Sequence, residues 1–436
     1  MPSSGKSRKA ALKSAHRNIE STVLPNGLRV ISESMTHVRS VSVGIWIDSG
    51  SRREAPPESG ISHFIEHMVF KGSQTRSAED IARSVDSLGG NLDAYTGKEL
   101  VCFNTKVLDE HLPIAFDVLS DMVLRPAFRA GDIEKEKGVI LEELKMEVDN
   151  PEYLLHETFS SSFYRGHPLG QSIIGTKETI RGFDARMVRN FYRSVYTPKG
   201  ILVTAAGNVK HQALVDMVAA EFGSLAPRAE RKQAGPPEPQ AKIVLKDKTS
   251  LEQMHLLAGV PAYPVAHPSR FAAYVLNVLL GGSMSSRLFQ TIREQRGLAY
   301  AVFSEINAYR DSGVLGIYAG TSRQTAPQVL ELMMAELRRF KEEPVPAEEL
   351  ERGKNHLKGS VMLGLESTSS RMSNLARQEM YFGRFVSLDE IVREIEAVTV
   401  ESVQQVAREL FRPEAIALTV LGKLNGLKVR REHLAC

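Results

Sequence analysis

Cysteine is nearly missing from this 436-residue chain, in which Cys102 and Cys436 are the whole supply. Two thiols cannot staple a protein of this length, so a disulfide-built secreted scaffold is excluded and the usage suits a reducing compartment. Long apolar runs are missing as well. None approaches the ~20 residues that span a bilayer, and the candidates are pieces as short as Ile201 to Ala206. Neither sign of charge dominates, since 55 Lys and Arg face 52 Asp and Glu for a formal charge of +3. That balance points to neither a nucleic-acid partner nor an acidic surface. Acidic groups are absent from Met1 to Asn18, and so is an apolar h-region, which excludes a secretory signal. Residues 1–19 read as a flexible basic tail on a cytoplasmic protein. A presequence directing the chain to the mitochondrial matrix is the alternative, because such segments are basic and acid-poor.

What is present is an ordinary globular composition, 42% hydrophobic and 25% charged. The length exceeds one compact core and suits two domains of about 200 residues each. Residues 223–241, GSLAPRAERKQAGPPEPQA, are rich in Pro, Ala and charge without periodicity and read as an interdomain connection. The expected division is 20–224, a linker at 225–240, and 241–436.

The chemistry concentrates in ESGISHFIEHMVFKGS. At 100° per residue a helix here places Ile61, Phe64, Ile65 and Met68 on one stripe and His63, Glu66 and His67 on the other. Imidazoles at i and i+4 lie one turn apart, close enough to grip one Zn²⁺, and the glutamate between them is placed to take a proton from water. This His-x-x-Glu-His order inverts the commoner zinc helix. The polar side of any amphipathic helix can also hold these residues by accident.

Upstream, STVLPNGLRVISES reads as two strands about a Pro-Asn-Gly turn, and SVSVGIWIDSGS as a strand with Val41, Val43, Ile45 and Ile47 on one side. Downstream, SAEDIARSVDSLGG is an amphipathic helix and NLDAYTGKELVCFNTKVL is strand-like. An exposed edge strand there would bind an extended peptide through its backbone. Pattern alone leaves an interior strand equally open.

A catalytic zinc takes three protein ligands. The best source of the third is DIEKEKGVILEELKMEVD, which has seven carboxylates from Asp132 to Asp149. Helical phase puts Glu134, Glu142 and Asp149 on a charged arc with Lys135 and Lys145. Glu136, Glu143 and Glu147 project from the other side, among Ile133, Val139, Ile140 and Leu144. Carboxylates set into an apolar face need a partner, which a cation supplies. Of the adjacent pair, phase favours Glu143 over Glu142.

These residues resemble the insulinase-like, or pitrilysin-like, zinc metallopeptidases, in particular the branch of the mitochondrial processing peptidase beta subunit and its bacterial relatives. The likeness runs from LPNGLRVI through GISHFIEHMVFKG and GGNLDAYTGKE to HPLGQSIIGTKETI and YTPKGILVTAAGNV. It implies one Zn²⁺ per chain on His63, His67 and Glu143, with Glu66 as catalytic base and Glu136 orienting the site. Asp93, beside Ala94 in the peptide-binding strand, departs from the Asn that relatives often carry.

The second half repeats the first in outline. QMHLLAGVPAY parallels SVSVGIWIDSG, and SRLFQTIREQRGLAYAVFSEINAY parallels the helix-to-strand passage, without the His-x-x-Glu-His. The resemblance implies an α+β fold of two homologous domains, each an antiparallel sheet with helices packed on one face, together forming half of a clamshell. It further implies that Arg293 and Tyr300 hold substrate and steady an oxyanion, roles that suit a permanent cation and a phenol; Arg296 is the neighbouring rival. Gly281-Gly282 lacks a following Gly-Lys-Ser/Thr and reads as a turn. The implied activity is endopeptidase cleavage of unfolded peptides or presequence-like segments inside a dimeric chamber, with a second copy or a degenerate homologue as partner. The alternative is a non-catalytic scaffold subunit of a heterodimeric peptidase or respiratory complex.

Overall fold

In the computed structural model residues 17–228, 231 and 233–436 are described, and most of the basic tail, residues 1–16, lies outside them. The first half opens with strands β1 (Asn18–Val23), β2 (Arg29–Ser34) and β3 (Ser40–Ile47), then helices α1 (Ile61–Val69) and α2 (Ala78–Ser87). The hairpin β4 (Asn91–Thr96) and β5 (Val101–Leu108) precedes α3 (Leu112–Leu124), α4 (Ala130–Asp149), α5 (Pro151–Phe163), α6 (Lys177–Gly182) and α7 (Ala185–Val195). Strand β6 (Ile201–Gly207) and α8 (His211–Phe222) complete it. The second half runs β7 (Ile243–Asp247), β8 (Met254–Pro261), α9 (Arg270–Leu280), a π-helical turn at Phe289–Glu294, β9 (Ala299–Ala308) and β10 (Gly313–Thr321). It ends with α10 (Ala326–Glu342), α11 (Ala347–Leu363), α12 (Thr368–Phe382), α13 (Leu388–Glu396), α14 (Val400–Leu410) and β11 (Ala417–Gly422).

Two sheets result, ordered β1-β2-β6-β3-β5-β4 and β7-β11-β8-β10-β9. Past β1 the two orders coincide strand for strand, with β3 matched to β8 and β4 to β9. Each sheet is antiparallel except for one pair, β2 with β6 and β7 with β11. Those strands run parallel because the chain returns to the sheet through a train of helices, the crossover that parallel pairing requires.

Alternation in β3 decides what each face meets. Val41, Val43, Ile45 and Ile47 are fully buried with the apolar sides of α1, α3, α7 and α8 in one core. The expected helices on one face are therefore present, and the opposite face is covered too. Trp46, Cys102, Leu202 and Ala206 pack there against Met372, Leu375, Ala376 and Met380 of α12, a helix of the other half. The Trp46 Nε1–H donates to Thr204 Oγ1 at 2.8 Å, and that hydroxyl donates to the carbonyl of Met372 at 3.0 Å. The exchange is mutual. Leu155, Phe159 and Phe163 of α5 cover Leu257, Tyr318 and Leu421 of the second sheet. Gly259 makes room for this, since a Cβ on it would lie 2.4 Å from Phe159 Cζ.

Two segments differ from expectation. The sheet begins at Asn18, and Arg17, counted with the tail in the sequence, pairs with buried Glu33 at 2.8 Å through Nε. Between α8 and β7 no described residue joins a helix or strand, yet the segment is pinned. Arg52, 1% exposed, donates to Glu99 and Asp311 at 2.6 Å each and to the carbonyl of Gly235 at 3.1 Å. One guanidinium thus joins both halves and the segment between them.

Because α5 belongs to one half and its seat to the other, Phe159→Ala is expected to destabilise both together by about 3–5 kcal/mol. A thermal or urea melt should show a single transition shifted down. Two separated transitions with one unmoved would contradict the mutual packing.

Candidate functional site

Helix α1 starts at Gly60, whose φ of 93° is left-handed and whose absent Cβ would sit 2.3 Å from the carbonyl oxygen of Ile174. No side chain at that position caps the helix. Buried Glu54 does so instead, accepting the N–H groups of Gly60 and Ser62 at 2.8 Å each. A carboxylate beside free N–H groups at a helix start is favourable. Ile61, Phe64, Ile65 and Met68 are buried against the first sheet, which turns His63, Glu66 and His67 toward α4 and β4.

Helix α4 crosses α1 with Ile133 and Ile140 buried and Glu136 buried between them. The carboxylate of Glu143 spans both imidazoles, with Oε1 3.6 Å from His63 Nε2 and Oε2 3.5 Å from His67 Nε2. His67 Nδ1 lies 2.9 Å from Glu136 Oε1, whose other oxygen meets Lys71 Nζ at 2.7 Å. A proton on Nδ1 donated to Glu136 leaves Nε2 with its lone pair toward Glu143. Glu142 points away and takes Lys145 at 2.6 Å. Val139, placed by phase on the apolar side, is 50% exposed, because the packed stripe of α4 is narrower than the phase suggests.

Burial and the neighbouring charges act differently on each member of the cluster. Burial and then the neighbouring His67 push His63 down to about 4. Burial raises Glu143, with Glu147 and Glu136 opposing ionisation further and His67 favouring it. Burial also raises Glu66, partly offset by the hydroxyl of Thr96 and by His67. For His67 burial works downward, but the bond to Glu136 and the surrounding carboxylates win and raise it. Burial acts upward on Glu136 and is overcome by its bonds to His67 and Lys71, which lower it.

The donor set fits a zinc ion. One donor atom from each of His63, His67 and Glu143 falls within 4.8 Å of the others, and the buried Glu143 Oε2 has no hydrogen-bond partner. Bonds of about 2.0–2.2 Å at tetrahedral angles separate ligand atoms by roughly 3.4 Å; Glu143 Oε2 is 3.5 Å from His67 Nε2, and the other oxygen, Oε1, is 3.6 Å from His63 Nε2. Thr96 Oγ1 donates to Glu66 Oε2, leaving Oε1 of the glutamate available.

Among the described residues strand β4 pairs only with β5 and is the sheet's edge, which removes the interior-strand alternative. Asp93 lies opposite Asn104 and Ala94 opposite Phe103. The side chain of Ala94 packs toward the core beneath α1, and Asp93 is exposed. Arg293 and Tyr300 come together with one another, the guanidinium 5.2 Å from the ring centre. Tyr300 is 79% exposed, and the ion pair of Arg293 is with Glu294 at 3.8 Å. Neither is joined to the His–Glu cluster by a hydrogen bond or ion pair among the described residues.

Three contributors escaped the sequence reading. Lys71 follows His67 by one helical turn, so its phase was available as a signal. Thr96 reaches Glu66 across the sheet and Glu54 reaches the start of α1 across an irregular loop, and neither carried a periodic signal. In the second half, the counterparts of α1 and α4 are α9 and α11. They meet through Gly353 against Leu279 and Val275, an apolar contact where the first half has its ligand set.

The family model described as Insulinase (Peptidase family M16) matches residues 29–177, and that described as Peptidase M16 inactive domain matches residues 182–357. The chain belongs to the M16, or insulinase, family of peptidases. It is 43% identical to the uncharacterized zinc protease YmxG of Bacillus subtilis over 90% of this chain and 96% of that protein. A Streptomyces coelicolor protein, also named an uncharacterized zinc protease, is 37% identical over 95% of this chain and 92% of its own. The fold matches a protease from Helicobacter pylori with a TM-score of 0.88 at 24% identity, covering 93% of this chain and 99% of that one.

Burial holds the Glu54 carboxyl up to about 7, against the Ser62 and Gly60 hydrogen bonds and Lys98 that favour its charge. A carboxyl raised on folding gives stability that is present below its unfolded value, about 4.3, and is lost as the pH climbs toward about 7. Urea unfolding in chelator should therefore show stability falling across that window, and Glu54→Gln should flatten the fall. An unchanged slope would contradict the assignment.

Proposed function

We propose that the chain is a zinc endopeptidase acting on unfolded or extended peptides in the cytoplasm. The observation that carries this reading is the convergence of His63, His67 and Glu143, with its unpartnered carboxylate oxygen, beside Glu66 and an open sheet edge. His63, His67 and Glu143 would hold one zinc per chain. When bound, zinc supplies a Lewis acid that polarises the scissile carbonyl and makes water acidic enough to lose a proton near neutral pH.

The residues of the chain do the rest. Glu136, fixed by Lys71, holds the His67 ring in one tautomer and orientation. Thr96 anchors Oε2 of Glu66, so Oε1 takes the proton from the attacking water and later returns it to the leaving amine. Strand β4, through Asp93 and Ala94, pairs with the peptide backbone and sets the depth of the scissile bond. Backbone pairing at β4 accepts many side chains, which suits unfolded substrates.

Arg293 and Tyr300, unattached to the cluster of their own chain, are assigned to the site of a partner chain. A homodimer, or a heterodimer with a degenerate homologue, would close a chamber in which they steady the oxyanion. The scaffold reading requires a broken ligand set. The second half carries no His-x-x-Glu-His, whereas the first half retains the three donor residues and the glutamate.

Purified protein is expected to bind about one zinc, measured by metal analysis. Glu143→Ala should lose it, Glu142→Ala should keep it, and Glu136→Ala should weaken metal affinity or turnover by roughly 10–100-fold. Glu66→Gln should retain metal and lose peptide cleavage by several orders of magnitude. Normal cleavage by Glu66→Gln would overturn the base assignment, and zinc loss in Glu142→Ala would overturn the ligand set.

The dimer is tested by mixing. A Glu66→Gln chain combined with an Arg293→Ala/Tyr300→Ala chain should recover part of the activity that each lacks alone. No recovery despite demonstrated subunit exchange, or full activity from a monomer, would exclude the shared site.

A further inference from the structure

A cavity of about 500 Å³ lies between the two halves, on the side of β4 away from the His–Glu cluster. Tyr95, Tyr274, Tyr381 and Phe382 give it aromatic walls, and Arg270 and Arg377 bring two guanidinium groups. Arg270 rests over the rings of Phe271 and Phe382 and donates to the carbonyl of His267 at 3.3 Å. Arg377 sits beside the phenol of Tyr95. Among the described residues neither arginine has a carboxylate partner. Glu99, the one acid on the wall, accepts from Arg52 at 2.6 Å and from the backbone N–H of Arg310 at 3.2 Å. The cavity therefore presents two guanidinium groups that no described carboxylate bonds directly, the nearest counter-charge to Arg270 being that of Glu390.

Its position relates it to the edge strand. Thr96 sends its side chain to Glu66, while Tyr95, the preceding residue, sends its own to the opposite face, edge-on to Trp46 and into the cavity wall. A peptide added to β4 must alternate in the same way, so residues next to the bond held at Glu66 present their side chains to the cavity. We infer that the cavity is a specificity pocket for an acidic side chain of the bound peptide, held by Arg270 and Arg377 close to the scissile bond. Guanidinium groups suit a carboxylate by their paired donors, and the aromatic walls suit the methylene stem beneath it. Two residues back along the same face stands exposed Asp93, which repels a second acid there. The preference is thus confined to one position and is no general attraction to acidic peptides.

This inference rests on the peptidase reading, and the test separates the two. Peptides carrying Glu or Gln at each position flanking one cleaved bond are digested by the zinc-loaded full chain and by Arg270→Gln/Arg377→Gln, with kcat/KM read by mass spectrometry. Binding of the same peptides to the Glu66→Gln chain is followed by fluorescence anisotropy. Glu should be favoured about tenfold over Gln at one position, in cleavage and in binding, and the double substitution should bring that ratio near one. Arg377→Gln, at an exposed residue, replaces the double variant if the latter fails to fold, and should lower the ratio in the same direction. No position with a clear Glu preference, or a preference that survives the substitutions, overturns the pocket. Absence of cleavage for both series with the Glu preference in binding intact overturns the peptidase reading alone.

Discussion

The crossing of α4 over α1 is the contact on which the site depends. It brings an acid to within 3.5 and 3.6 Å of two imidazole nitrogens that lie one turn apart. Burial acts against charge on His63 and on Glu143, and Glu143 Oε2 has no hydrogen-bond partner. A divalent cation bound there would accept lone pairs from neutral imidazoles and compensate the carboxylate. The surrounding groups hold the crossing in place. Glu54 caps the start of α1, Lys71 and Glu136 fix His67, and Ile133 and Ile140 seat α4.

The mutual covering of the two sheets extends this constraint to the whole chain. Each half supplies the helix that closes the other's open face, so neither sheet is complete alone. Arg52 reinforces the join at a buried point touching both halves and the segment between them. The topology of the second half repeats that of the first while Leu279 and Gly353 fill the place of the ligands. A duplicated scaffold can therefore hold one polar centre, with the second copy free to line the space opposite.

Much of this was legible in the sequence, and the reasons are local. His63, Glu66 and His67 share a face by helical period, and Glu143 separates from Glu142, which takes Lys145, by a rotation of 100°. Strand β3 announced its inward residues through strict alternation. The same alternation also buries Ser42 and Trp46, and which helix covers them depends on a partner more than three hundred residues away, which no period encodes. Thr96 and Glu54 lie much nearer their partners, but irregular loops intervene, so no period encodes those contacts or the edge position of β4. Val139 failed because phase gives direction on a helix but not how wide a stripe its neighbour covers. The roles of Arg293 and Tyr300 came from resemblance alone, and their geometry within one chain neither uses nor forbids them.

His63, His67 and Glu143 are proposed to hold one zinc ion. Anomalous diffraction at the zinc edge, on crystals of the zinc-loaded full chain, addresses it directly. The expected result is one peak per chain at about 2.0–2.2 Å from His63 Nε2, His67 Nε2 and a Glu143 carboxylate oxygen. A peak elsewhere, or none among these residues at full zinc occupancy in solution, would contradict the claim.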